Sequence, residues 1–166
     1  IETIIGGKVF IHNCPLLFVA SLLRLPELRP FEEEPMPHLQ FELNFTPERE
    51  EKASFADAIC DHFASIMSTA TDHIGITFRC YAPDDLVFGR AGDDGQIAFL
   101  NADIRLGRTA DQKRRLALAI MGEIGVRWGV PKEHIYIVYT EHDGPDFQLS
   151  DRVLPSWQPG EDPLND

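Results

Sequence analysis

Two stretches of the sequence carry residue types able to do chemistry. The first runs from Arg105 to Lys113, Arg-Leu-Gly-Arg-Thr-Ala-Asp-Gln-Lys. An alternating apolar pattern precedes it and a helical pattern follows. Arg105 therefore falls on the polar face of a strand, and Arg108 lies just past the strand where a helix begins. Two guanidiniums beside the unsatisfied N–H groups of a helix start form a carboxylate or phosphate site. The plainer account is a capped helix with an incidental surface arginine. The second stretch is Met36-Pro37, which opens the run Pro-His-Leu-Gln-Phe-Glu-Leu-Asn-Phe. Proline is tolerated at the first residue of a strand, and that account suffices for these residues alone. The other reading is that Met36 is an initiator whose removal leaves Pro37 with a free, titratable secondary amine.

The whole-molecule field would not draw an anion to these arginines. The 166 residues carry a formal net charge of −12. Non-specific binding to nucleic acid or to an anionic membrane is repelled by such a chain, so an anionic ligand has to be held by a local pair of cations. The hydrophobic share of 43% and charged share of 25% are those of a globular protein with a sizeable core. Cys14, Cys60 and Cys80 are odd in number and widely spaced. Cys60 and Cys80 read as buried thiols of a reducing, cytoplasmic compartment. The six histidines form no H-x-H or H-x-x-x-H pair, and no metal site is expected.

The elements that must position Pro37 and the arginines follow from periodicity. Leu39, Phe41, Leu43 and Phe45 alternate with His38, Gln40, Glu42 and Asn44, which predicts a half-buried strand over 37–45. By that alternation His38 is a structural residue pointing away from the proline. Thr46-Pro47 predicts a helix start, with Ala53, Ala56, Ile59, Phe63, Ile66, Met67 and Ala70 as the buried stripe of a helix to about residue 69. A strand follows over 73–81, then a turn at Pro83–Asp85, a short extended piece over 86–89 and a tight turn at 91–95. The second half repeats the plan. A strand over 96–106 leads to Thr109 and Gln112, which have capping-box spacing. Leu116, Ala117, Ile120, Ile124 and Trp128 mark a second buried stripe, and Gly129 ends that helix. Gly122 and Gly125 within it suggest close approach to the sheet. A last strand runs over 134–139.

Thr46 and His73 thus recur as Thr109 and His134, each about 60 residues later, which indicates an internal duplication. Two right-handed β-α-β units predict an α/β (α+β) fold, a four-stranded mainly parallel sheet with two helices on one face. The other face needs cover that this chain has too few helices to give, and an oligomer with facing sheets supplies it. Residues 1–36 differ in character from the rest. The run from Pro15 to Leu23 is apolar but too short to span a membrane and lacks a basic flank. Pro26, Pro30, Glu32–Glu34 and Pro35 read as a linker. We expect an N-terminal extension over 1–36, as a mis-assigned start, an expression remnant or an arm, and a domain over 37–166.

These residues together resemble the tautomerase superfamily. Gly107-Arg108-Thr109-x-x-Gln112-Lys113 resembles the signature after the first strand of 4-oxalocrotonate tautomerase. Pro83-Asp84-Asp85-Leu86-Val87-Phe88-Gly89 resembles a turn of macrophage migration inhibitory factor, and Ile135-Tyr136-Ile137 with Thr140-Glu141 resembles the last strand of both. Arg105-x-x-Arg108 and Arg152-x-Leu154-Pro155 resemble cis-3-chloroacrylic acid dehalogenase. Pro37-His38 and the spacing from Ala98-Phe99 to Gly107-Arg108 resemble 5-carboxymethyl-2-hydroxymuconate isomerase.

The resemblance covers 37–166 and implies a duplicated β-α-β fold, a homotrimer and cofactor-free chemistry on a small unsaturated keto acid. It implies that Pro37 is the catalytic amine, moving a proton between positions of the conjugated acid. Arg105 and Arg108 would hold the substrate carboxylate, and Tyr136 would either donate a hydrogen bond to substrate or pack as an aromatic. The nearest implied activity is the muconate-type isomerase, with dehalogenase or decarboxylase chemistry on the same proline as the alternative. A non-catalytic oligomeric protein with a blocked Pro37 is the other. The acid that activates water in the dehalogenase falls near Leu149, where this chain has no carboxylate. Glu141 and Asp146 are the nearest acids, and His62 only approximates the dehalogenase histidine.

Overall fold

Leu39, Phe41 and Leu43 are fully buried while His38, Gln40 and Glu42 between them are not. The alternation therefore does form a strand with one face in the core, β1, over His38–Leu43. A computed structural model describes residues 37–92 and 95–149. The extension 1–36, Cys14 and the Arg152–Pro155 motif lie outside the described residues. After β1 come helix α1 (Arg49–Met67), β2 (Gly75–Cys80), β3 (Ala98–Arg105), helix α2 (Ala110–Trp128) and β4 (Ile135–His142). Short 3-10 turns occupy Pro83–Asp85, Lys132–His134 and Gly144–Asp146.

The sheet order is β2-β1-β3-β4. β1 pairs parallel with β2, and β3 pairs parallel with β4. The seam between the halves, β1 against β3, is antiparallel, with His38 opposite Asp103 and Leu43 opposite Ala98. The duplicated β-α-β plan and the two helices on one face are therefore as the sequence predicts. Phe55, Ile59, Phe63 and Met67 of α1, with Leu116, Ile120 and Ile124 of α2, meet Leu39, Phe41, Leu43, Leu100, Ala102 and Ile104 of the sheet in one core. Each large side chain so buried contributes about 2 kcal/mol. Phe41 lies edge-on to Phe55 at 5.1 Å and stacks on Phe78 at 5.6 Å, tying α1 to both parallel strands. Among the described residues no helix covers the second sheet face, which bears His38, Thr77, Asp103 and Tyr136.

Several local expectations are corrected. Helix α1 is capped by Glu48, whose N–H donates to the Glu51 carboxylate at 2.9 Å, and not by Thr46. Gly122 has open space around its missing Cβ, and a Cβ on Gly125 would meet the Val130 carbonyl at 3.4 Å. Neither glycine serves an approach to the sheet. Residues 86–89 form no strand. β4 continues past Tyr139 to His142. Cys80 is exposed and Cys60 half-buried, because β2 is an edge strand and Cys60 flanks, rather than joins, the buried stripe of α1.

Candidate active site

Pro37 is buried, and its carbonyl accepts a hydrogen bond from the Gly75 N–H at 2.9 Å. That bond extends the β1–β2 ladder one residue beyond His38. Continuing the β1–β3 register by the same step sets Pro37 opposite Ile104, with Arg105 next along. The nitrogen of Pro37 is joined to Met36 in the full sequence. Arg105 is only 3% exposed and is paired in register with His142 of β4.

Arg108 is 9% exposed, and its Nη1 donates to the carbonyl of Met67 at 2.7 Å. Gln112 does the same from Nε2 to the carbonyl of Ile66 at 3.3 Å. Helix α1 ends at Ser68 in the left-handed region with no basic residue of its own in its last turn. The guanidinium from the start of α2 therefore supplies both the donor and the positive charge that a helix C-terminus favours. Thr109 and Gln112 form the expected capping box, with Gln112 N–H to Thr109 Oγ1 at 3.1 Å and Thr109 N–H to Gln112 Oε1 at 3.0 Å. Because α1 returns the chain to the start of β2, its C-terminus and Arg108 lie at the Pro37 end of the sheet.

Tyr136 is at the other end. It pairs in register with Phe99, which itself faces Glu42 near the finish of β1. From Phe99 to Ile104 the strand advances about 17 Å. Tyr136 is 52% exposed and packs edge-on to Phe99 at 5.7 Å and beside Phe88 at 6.0 Å. One chain therefore brings Pro37, Arg105 and Arg108 to one end of the sheet and leaves Tyr136 at the opposite end.

A cavity of about 450 Å3 opens beside Pro37. Ile74, Phe147 and Leu149 give it apolar walls, and His38, Asp72 and His73 give it polar ones. Leu149, the position of the dehalogenase acid by spacing, thus contributes hydrocarbon to the wall. Glu141 is held by Lys113 at 2.9 Å, and Asp146 sits in the Gly144–Asp146 turn. His62 bonds Glu123 at 3.2 Å between the two helices. His38 lines the cavity as well as the second sheet face. Its Nε2 lies 3.1 Å from Thr77 Oγ1 and its Nδ1 3.7 Å from the Asp103 carboxylate, which also accepts from His142 Nε2 at 2.9 Å.

His73 and Asp72 are the polar groups the sequence reading missed. The His73 side chain is 12% exposed, with Nδ1 at 2.9 Å from Asp72 Oδ1 and Nε2 at 3.2 Å from Thr69 Oγ1. The signal was present in the recurrence of His-Ile at 73–74 and 134–135. His134 likewise reaches the start of its neighbouring strand, with Nδ1 at 3.1 Å from the Gln96 carbonyl.

No protein-family model matches the chain, and no curated protein matches its sequence. Solved structures do match. A member of the cis-3-chloroacrylic acid dehalogenase family superposes with a TM-score of 0.64 at 23% identity, covering 74% of this chain and 85% of that one. The macrophage migration inhibitory factor of Toxoplasma gondii gives 0.62 at 16% identity, covering 70% and 99%. A fused 4-OT wild-type asymmetric trimer gives 0.61 at 16% identity, covering 70% and 94%. The chain has the tautomerase-superfamily fold. At these identities the likeness is one of fold, and the particular chemistry rests on the site.

Proposed function

We propose that residues 37–166 are a cofactor-independent tautomerase or isomerase of a small unsaturated 2-keto or 2-hydroxy carboxylic acid, active once residues 1–36 are removed. The observation that carries this reading is a buried proline at the head of the first strand, lining a cavity of about 450 Å3 with apolar walls. Freed of Met36, Pro37 is a secondary amine. Ile74, Phe147 and Leu149 disfavour its ammonium form, and Arg105 and Arg108, which stand at the same end of the sheet without lining the cavity, add positive charge that opposes the Asp72 carboxylate; in our reading the balance favours the neutral, basic amine. It takes a proton from carbon or an enol oxygen and returns it elsewhere on the conjugated acid. Arg105 and Arg108 attract the carboxylate and stabilise the developing enolate. The 5-carboxymethyl-2-hydroxymuconate type of isomerisation is the activity we assign.

Tyr136 is too far along the sheet to serve Pro37 of its own chain. In our reading it joins the site of a second copy, whose uncovered sheet face packs on this one in a homotrimer. The free thiols of Cys60 and Cys80 suit a cytoplasmic enzyme. Hydrolytic dehalogenation on the same proline is disfavoured because Leu149 puts hydrocarbon where the water-activating acid falls by spacing, and Asp72, the carboxylate that does line the cavity, is bonded to His73.

Intact-mass analysis of the natively produced protein tests the reading. A mass beginning at Pro37, with turnover of phenylenolpyruvate or 2-hydroxymuconate that Pro37→Ala abolishes, is the expected result. A retained extension, with Pro37 acylated and no turnover, would leave a non-catalytic oligomer instead.

A further inference from the structure

We infer that His73, clamped between Asp72 and Thr69, is a second proton-transfer residue of the Pro37 cavity, acting on the substrate oxygen while Pro37 acts on carbon. The inference rests on the reading of Pro37 as the base. Three observations carry it. His73 and Asp72 line the same cavity as Pro37. The His73 ring is largely withdrawn from solvent, with 12% of its side chain exposed. Both ring nitrogens have partners that fit either protonation state. Asp72 only accepts when ionised, so it keeps a proton on Nδ1 at 2.9 Å. The Thr69 hydroxyl, 3.2 Å from Nε2, donates to the neutral ring and accepts from the protonated one. The ring can therefore gain and lose a proton without stranding a buried polar atom, which is what a proton shuttle requires.

The step balances. Pro37 nitrogen takes a proton from the carbon next to the substrate carbonyl. The C–H electron pair becomes the new C=C bond, and the carbonyl π pair moves to oxygen. As it displaces the Thr69 hydroxyl from Nε2, that oxygen takes the Nε2 proton of imidazolium His73, leaving an enol, a neutral ring still bonded through Nδ1 to Asp72, and a prolinium. Ketonisation runs the same transfers in reverse. A carboxylate beside the imidazole holds its orientation and stabilises the imidazolium, the arrangement that general acid–base sites use.

The test uses the natively produced protein and phenylenolpyruvate, with His73→Gln, Asp72→Asn and Pro37→Ala measured beside the unmodified enzyme. Expected is a fall in kcat on the order of 100-fold for His73→Gln, with KM within threefold and loss of the His73-dependent limb of the pH profile, and for Asp72→Asn a smaller kcat loss with that limb kept but displaced to lower pH. Melting curves separate these effects from loss of fold, and Asp72→Asn keeps the shape of the turn. If Pro37→Ala abolishes turnover while both other variants keep kcat within threefold, His73 merely closes the turn before β2 and the inference fails alone. A rise in KM with kcat unchanged makes His73 a binding group and also overturns it. An unmodified enzyme without turnover removes the Pro37 reading and this one together.

Discussion

The guanidinium of Arg108, at the start of α2, donates to the Met67 carbonyl at the end of α1 across 2.7 Å. The residue that the sequence offers as a carboxylate ligand is thus also the C-terminal partner of a helix in the other half. A hydrogen bond with a charged donor contributes about 2 kcal/mol. Arg108→Ala should therefore lower the melting temperature by about 6 °C, read by calorimetry, and raise KM for an acidic substrate. A lower melting point with unchanged KM would assign Arg108 to the helix alone.

Phe41 and Phe99 test which sheet face is the core. Phe41 is fully buried between α1 and the sheet, whereas Phe99 lies half-buried beside exposed Tyr136 on the other face. Urea unfolding of Phe41→Ala should show a loss of about 4 kcal/mol. Phe99→Ala should cost far less in the isolated subunit and instead shift the proposed homotrimer toward smaller species by light scattering. Equal losses would mean that the second face is already packed within one chain.

The two described thiols should react in a fixed order. Cys80 is exposed on the edge strand. Burial pushes the Cys60 thiol up, and Asp57 and Asp61 push it further by disfavouring a thiolate. Iodoacetamide near neutral pH should modify Cys80 at least about fivefold faster, followed by peptide mapping. The reverse order would place β2 inside the sheet rather than at its edge.

Glu123 predicts a pH dependence. Its hydrogen bonds from Arg127 at 2.8 Å and with His62 at 3.2 Å hold its carboxyl below the ordinary glutamate value of 4.5. A depressed carboxyl stabilises the fold above the unfolded-state value and loses that contribution as pH falls through the folded one. Glu123→Gln should be less stable than the parent at pH 7, with the difference closing as the solution is acidified below about 4.5. A gap that persists in acid would show that packing, not ionisation, is what the substitution removes.

The parts of this fold legible in the sequence are those fixed within a few residues. The alternation of Leu39, Phe41 and Leu43, the Thr109–Gln112 box and the stop at Gly129 each follow from short-range stereochemistry, and the repeat of these signals gives the topology. The misses come from contacts between distant segments. Glu48–Glu51 and Thr46 are both sound local helix starts, and only the path out of β1 chooses between them. The exposure of Cys80 depends on β2 lying at the edge, which alternation does not encode. Arg108 reads as a ligand group and Gln112 as a capping residue, and only the end of α1 set beside them shows that both also bond its carbonyls. By alternation His73 only opens a strand, and its place in the Pro37 cavity follows from the β1–β2 register together with the return of Phe147 and Leu149.

The antiparallel seam between β1 and β3 sets the two halves head to tail. Each end of the sheet is thereby a joint neighbourhood, built where one half starts and the other finishes. A substitution late in β3 is felt where the opening strand begins, and one late in β1 is felt around Asn44, Gly95 and Ile97, where the side chain of Asn44 ties down the chain entering β3. The repeat therefore does not make two identical corners: one is tied by a neutral amide side chain, the other by a cation and an amide reaching across to the close of the first helix.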